Sequence, residues 1–349
     1  MSPLVSVIVP VRNSQQHIKG LLRSLFDQDY PNIQIVLVGN VNDQTWQPIR
    51  KWIQEGRVTT IEVQLPEGWT GRDSNLKRNT GALHAFGGIL VFTDQKIRHP
   101  RNWISRGVAM MQQQQVPALA GTMLSTRSDG DSFWARFTDG ALVKRNPEFR
   151  QGRILNARNF GATESLPITA NWFMTYEAYL KMGGFPEDFR DSYEDYAGAW
   201  KAVSNGVSFY CTDDLPVYHK HRLDPRQIQR EYIRSARGAA QLFMTFGDCP
   251  FGRRRALQVI GVMLMGTGVI LTSAILVLLT EWLLLLTLTQ IVVLLLVVAS
   301  LLNFMKVRHW HGLFFPPITF YFIFIFSWHF MQKCLEGGGI TSSDRYLQT

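Results

Sequence analysis

The chain opens on a continuous apolar run, LVSVIVPV (4–11), rich in β-branched residues and too short for an ordinary helix. Such a run predicts a strand covered on both faces. The next segment, SQQHIKGLLRSLFDQ (14–28), spaces Ile18, Leu21, Leu22 and Leu25 along one helical face. The alternation then continues through strand IQIVLVGN, helix TWQPIRKWIQEG, strand VTTIEVQL, helix SNLKRNTGALHAF and strand GILVFTD. Strands alternating with helices predict βαβ units, hence an α/β fold with a mostly parallel, Rossmann-like sheet covered by helices. In such sheets ligands bind beyond the carboxyl ends of the strands. Pro10–Asn13, Gly39–Asp43 and Thr93–Lys96 are therefore the segments expected to touch a ligand, with Pro10, Arg12, Asn40, Asp94 and Lys96 as candidate contacts.

The pattern changes near the carboxyl end. Three stretches, 256–279, 283–304 and 313–331, are apolar almost throughout, and each is near the ~20 residues needed to cross a bilayer. Their only polar positions are scattered Thr, Ser and Gln, so three transmembrane helices are expected. Between the first two only TEW intervenes, which predicts a tight hairpin with Glu281 and Trp282 at the far interface. The amino terminus, MSPLVSVIVPVRN, lacks a basic segment before a long apolar core and reads as a core strand, not a signal peptide. Arg253, Arg254 and Arg255 before the first stretch, and Lys306 and Arg308 after the second, lie on one side by this reading. The positive-inside rule makes that side cytosolic. The expectation is an integral, multi-pass membrane protein with residues 1–250 in the cytosol, a membrane region 251–335, and a tail 336–349 across the bilayer.

Charge refines the choice of partner. A formal net charge of +9 could suit nucleic acid, but the basic residues crowd into 220–255, next to the membrane. Anionic lipid headgroups or phosphate-bearing substrates fit better than nucleic acid. Arg230, Arg234 and Arg237 fall at i, i+4 and i+7, one basic face of a predicted helix suited to a diphosphate or lipid phosphate. Cys211, Cys249 and Cys334 are far apart, without the spacing of a disulfide framework or zinc cluster.

Five segments in order carry a resemblance. VSVIVPVRNSQQHIKGLLRSLFDQDYPNIQIVLV resembles the opening of a family 2 glycosyltransferase with a GT-A fold. GWTGRDSNLKRNTGALHAFGGILVFTD is similar to a stretch of its membrane-bound members, with Arg72 where lysine is common. TANWFMTYEAYLKMGGFPEDF resembles the acceptor-side segment, SYEDYAGAWKAVSNG the Glu-Asp motif, and VYHKHRLDPRQIQREYIRSARGAAQLF the histidine- and arginine-rich segment before the membrane. The resemblance covers about residues 4–250 and divides them into a nucleotide-binding half (1–100), an acceptor half (101–220) and a basic membrane-proximal segment (221–250).

What it implies is an inverting transferase that moves a sugar from a nucleoside diphosphate to a lipid or lipid-linked acceptor at the membrane surface. Three spans and the absence of a Q-x-x-R-W tryptophan favour single transfer over a processive polysaccharide synthase. Asp195 is then the candidate base that takes the acceptor's proton. Glu194 orients the site or caps its helix, and Arg72 and Lys77 join the donor contacts. Asp94, with His219 or His221, would hold Mg²⁺ or Mn²⁺. Two positions depart from the pattern. Strand two ends in VGNVND, leaving Gly39 and Asn40 where acids commonly meet the base, and the usual Asp-x-Asp reads DQK. Either Lys96 partly replaces the metal or the chain is a catalytically silent binding or scaffold relative.

Overall fold

The expected alternation is present. The computed structural model describes residues 2–125, 133–134, 137, 149–161, 166–219, 224–278, 282–307 and 314–336. Strand β1 (Val5–Pro10), helix α1 (Ile18–Phe26), β2 (Ile33–Asn40), α2 (Arg50–Gln54), β3 (Thr59–Val63), α3 (Ser74–Leu83) and β4 (Ile89–Phe92) follow in order. α1 begins later than its pattern because residues before it turn back, with the Ser14 amide donating to Thr45 Oγ1 at 2.8 Å. α2 is shortened by Pro48, which lies in a preceding 3₁₀ turn, Gln47–Ile49. Proline fits the start of a helix but not its interior, where its missing N–H would be needed.

The acceptor half supplies β5 (Ile97–Arg98), α4 (Trp103–Gln113), β6 (Ala118–Ala120), β7 (Met123–Ser125), β8 (Arg153–Leu155), β9 (Trp172–Thr175), α5 (Tyr176–Met182), α6 (Glu194–Ser204), β10 (Phe209–Cys211) and β11 (Val217–His219). One eight-stranded sheet runs β3-β2-β1-β4-β9-β6-β10-β8, and β5-β11-β7 make a small second sheet. The sheet is parallel through β3, β2, β1 and β4, and β9 then runs antiparallel to both β4 and β6. β1, β2 and β4 therefore end on the same edge, which collects the loops expected to bind ligand.

Helices α7 (Pro225–Thr245), α8 (Pro250–Leu278), α9 (Trp282–Val307) and α10 (Phe315–Leu335) complete the described chain. Among the described residues, α8 and α9, over Pro250–Leu276 and Leu284–Asn303, are the helices long and apolar enough to cross a membrane by length and composition. The expected third span falls short of that measure. Its stretch does form a helix, but prolines, tyrosine, serine, tryptophan and histidine dilute its apolar character, and it packs along α7. Phe322 stacks on Tyr232 at 4.3 Å between ring centres, and Arg237 reaches Glu336 at 3.0 Å at the other end. α8 also starts earlier than expected, so Arg253, Arg254 and Arg255 lie within its first turns. Arg308 and the tail beyond 336 lie outside the described residues.

Burial shows why the strands read as continuous apolar runs. Successive strand residues point to opposite faces, and both faces are covered. Ile8, Leu90, Phe92, Trp172 and Met174 enter one core, while Val7, Val9, Val91 and Phe173 enter the other. α3 packs closely because of Gly81, where a Cβ would lie 2.5 Å from Ile8 Cγ2. In the second core Phe173 is fully buried, edge-on to Trp103 at 5.0 Å. Truncating a buried phenylalanine to alanine costs about 3–5 kcal/mol. Phe173→Ala is thus expected to lower the thermal midpoint by on the order of 10 °C, measured on detergent-solubilised protein. An unchanged midpoint would show that this core does not limit stability.

Candidate functional site

Loops at the carboxyl edge of the sheet are tied to one another by side chain to backbone bonds. After β1, the Arg12 amide donates to Gln95 Oε1 at 2.8 Å, and Arg12 Nη1 reaches the Gly71 carbonyl oxygen at 3.3 Å. The 68–73 loop is joined to the turn before α6, since the Arg72 amide donates to the Arg190 carbonyl oxygen at 2.6 Å. Gly71 makes this possible: its φ is +89°, and a Cβ there would fall 2.6 Å from the same carbonyl. The Arg190 guanidinium then lies 3.7 Å from the Trp69 ring centre, a cation–π contact. Pro10, Arg12, Asp94 and Lys96 thus come together with Arg72, Glu194 and Asp195, which are far away in sequence.

The side chains have different roles in this cleft. Arg72 donates to Glu194 Oε1 at 2.7 Å and to Glu231 Oε1 at 3.0 Å, joining its loop to α6 and α7. Burial alone would lower its pKa, but the two carboxylates outweigh that and raise it. Lys77 is fully buried and donates to the Val11 carbonyl oxygen at 2.8 Å, with Asp73 Oδ2 also 2.8 Å away. Its ammonium therefore staples α3 to the loop after β1, and burial depresses its pKa. Asn40 ends β2 with its Oδ1 buried and without a hydrogen-bond partner among the described residues. Asp43, by contrast, already accepts at Oδ1 from the Asn13 amide and from the Thr45 amide and hydroxyl.

Two functional positions escaped the sequence pattern. Arg78, 1% exposed, donates to Asn75 Oδ1 at 2.9 Å and to Asp94 Oδ1 at 3.1 Å. Thr169, in a 3₁₀ turn before β9, donates to Asp195 Oδ1 at 2.5 Å. The turn is in turn anchored to β4, for Thr93 Oγ1 donates to the Ala170 carbonyl oxygen at 3.0 Å. Since that bond uses the hydroxyl proton, the buried His99, 2.8 Å away at Nε2, must donate to Thr93. Nothing in the spacing of KRN or TAN marks either residue, because the carboxylates they meet, Asp94 and Asp195, lie outside their own elements. At Asp195, exclusion of water and the neighbouring Glu194 push the carboxyl pKa up to about 7, against the pull of Arg78 and Thr169.

The candidate metal ligands do not assemble. Asp94 is engaged by Arg78, and Lys96, exposed, follows two residues later. His219 pairs with Ile97 in the small sheet, which places it beside the DQK turn; His221 lies outside the described residues. Among the described residues no group of three His, Cys, Asp or Glu side chains could hold a metal ion. The donor set is one carboxylate between two cations, and it does not fit a protein-built cation site. The basic face of α7 is also divided. Arg234 pairs with Glu231 at 3.3 Å, and Arg237 with Asp191 at 3.3 Å and with Glu336. Arg230 is exposed, its Nε donating to the Arg226 carbonyl oxygen.

A parallel sheet whose strand ends gather carboxylates and guanidinium groups, extended by antiparallel β9, has the GT-A architecture. The same architecture is found in the mannosyltransferase PcManGT of Pyrobaculum calidifontis, solved with GDP-Man and Mn²⁺, at a TM-score of 0.53 and 21% identity over 73% of this chain and 70% of that one. The profile of the family described as Glycosyl transferase family 2 matches residues 6–181, and the chain belongs to that family. Among relatives, the glycosyltransferase AglE of Haloferax volcanii is 24% identical over 69% of this chain and 75% of its own. The poly(ribitol-phosphate) β-N-acetylglucosaminyltransferase TarS of Staphylococcus aureus is 23% identical over 65% of this chain, which spans 37% of TarS.

A carboxyl that titrates at about 7 makes a specific pH prediction. If Asp195 must be ionised, transfer should fall as pH drops through about 7. Thr169→Val removes a bond that favours the ionised form, so the midpoint of the pH–rate profile should move upward. An unmoved midpoint would mean that another group sets the profile. Stability has the opposite sign: because folding raises this carboxyl's proton affinity, its contribution is present below about 4 and is lost as pH rises toward about 7.

Proposed function

We propose that the chain transfers a sugar, with inversion, from a nucleoside diphosphate to a hydroxyl of a lipid or lipid-linked acceptor at the membrane surface. The observation that carries this reading is Asp195, a carboxyl with a near-neutral pKa at the head of α6, facing the cleft floor formed by Asp94 and Arg78. A base of that strength holds little proton at slightly alkaline pH, yet can accept one from a hydroxyl as it attacks the anomeric carbon. Glu194, held by Arg72, fixes the start of the helix that presents it. The Asn40 oxygen at the end of β2, unpartnered among the described residues, is suited to the donor's base. The relatives and neighbours support a nucleotide-sugar donor, since PcManGT is solved with GDP-Man and TarS with UDP-GlcNAc. Hydrolysis of a panel of nucleotide sugars by the purified chain in detergent tests the reading; turnover of none would contradict it.

The leaving diphosphate needs positive charge. Lys96 supplies one on the exposed turn after β4, where a bound donor would itself exclude water and strengthen the attraction. Transfer should then depend only weakly on added Mg²⁺ or Mn²⁺, and Lys96→Ala should lower the rate about 10²-fold or more, the scale of losing one such stabilising group. Lys96→Asp should restore the Asp-x-Asp pattern and make activity metal-dependent. The idea fails if chelation abolishes activity of the unmodified protein while Lys96→Ala leaves it unchanged.

The membrane arrangement follows from α7. This helix is fastened to the soluble domain at Glu231 by Arg72, at Arg237 by Asp191 and at Gln241 by the Asp188 carbonyl oxygen. α10 packs beside it at Tyr232, Arg237 and Phe243, so in this reading α10 stays with the soluble domain while α8 and α9 cross the bilayer. A reporter fused after Thr349 should accordingly lie on the same, cytosolic side as one fused before Met1. Opposite sides would mean that α10 also spans, as three apolar stretches alone suggest.

A further inference from the structure

The face of α7 toward α10 is not filled. Between the two helices lies a cavity of about 360 Å³, walled by Trp134, Ile318, Tyr321 and Phe322, with Gln229 and Arg226 at its mouth. Gln229 Nε2 donates to Tyr321 Oη at 3.3 Å, which marks where the apolar wall gives way to polar groups. Of the arginines along this helix, Arg234 and Arg237 are held by carboxylates. Arg226 and Arg230, one turn apart and both exposed, form no ion pair among the described residues. An apolar slot lined at one end by Arg226, with Arg230 one turn further along and neither paired with a carboxylate among the described residues, has the charge and shape of one ligand class. We propose that this groove holds the apolar chain of a single phosphate-bearing lipid, with its phosphate on Arg226 and Arg230.

The inference deepens the proposed acceptor and rests on that reading. Arg226 precedes Glu231 by five residues, about 7.5 Å along a helix axis. Glu231 is joined through Arg72 to Glu194, the neighbour of Asp195. A headgroup seated at Arg226 thus lies within about one and a half turns of the residue that leads into the cleft. The presence of a base also constrains the chemistry. A phosphate oxygen is already anionic and needs no proton removed, whereas a hydroxyl does. The phosphate therefore anchors, and the nucleophile is a hydroxyl carried further out on the same headgroup.

Lipid binding can be read without any donor, so its failure and the failure of transfer are separable. The full chain in neutral detergent is titrated with dioleoyl phosphatidylglycerol or dioleoyl phosphatidylcholine, and retained lipid is measured by native mass spectrometry. One phosphatidylglycerol should be held at concentrations where phosphatidylcholine is not. Arg226→Gln with Arg230→Gln should weaken it about tenfold or more, the effect of losing charge-assisted bonds to phosphate. Ile318→Trp, which fills the slot without touching charge, should weaken it likewise, whereas Arg254→Gln with Arg255→Gln, basic residues away from the groove, should not. Equal retention of both lipids, an equal loss in the Arg254 and Arg255 variant, or wild-type binding by Ile318→Trp would overturn the proposal. Displacement by soluble glycerol phosphate at the lipid's own concentration would also overturn it, because the apolar chain would then contribute nothing.

Discussion

The arrangement of the site depends on one guanidinium. Arg72 holds Glu194 with one nitrogen and Glu231 with the other, so the 68–73 loop, the helix carrying Asp195 and α7 are fixed by a single side chain. With 27% of the side chain exposed, the group is largely stripped of water, and its charge is matched by two carboxylates. Removing one partner from such a pair is costly, about 3–5 kcal/mol when fully buried. Lysine, with one ammonium and no planar fork, cannot meet two carboxylates in different directions with the same geometry. That explains why an arginine at this position is more than a like-charge substitution.

Around this bridge the cleft is built of alternating charge. Arg78 sits between Asn75 and Asp94, and its field reaches Asp195. Lys77 is committed to Val11 and Asp73. Arg12, which reaches the Gly71 carbonyl oxygen, and the exposed Lys96 lie toward the open side. This division of labour distinguishes groups that hold the backbone in place from those able to meet a diphosphate, and it leaves Asp195 as the carboxyl whose proton affinity lies near neutrality.

Much of the fold was legible because its signals are local. Strands covered on both faces read as unbroken apolar runs, and α1 announced its buried face through Ile18, Leu21, Leu22 and Leu25. The edge of the sheet that carries the site followed from the βαβ order. What could not be read were contacts between distant segments. Arg72 looked like a substrate contact until Glu194 and Glu231 were placed beside it, and Arg78 and Thr169 carried no signal because the carboxylates they meet lie 16 and 26 residues away, outside their own elements. The packing of the third apolar stretch was illegible for a related reason. Length and composition measure a helix alone, whereas the course of α10 is set by Tyr232 and Arg237 on α7.

The central claim is that Asp195 takes the acceptor's proton, and one substitution isolates it. Asp195→Asn keeps the shape and the Thr169 hydroxyl beside it but leaves an amide that cannot accept a proton at any ordinary pH. The account predicts that glycosyl transfer by this variant is abolished while nucleotide binding stays within a few-fold of the unmodified protein. Retained transfer at a comparable rate would contradict it.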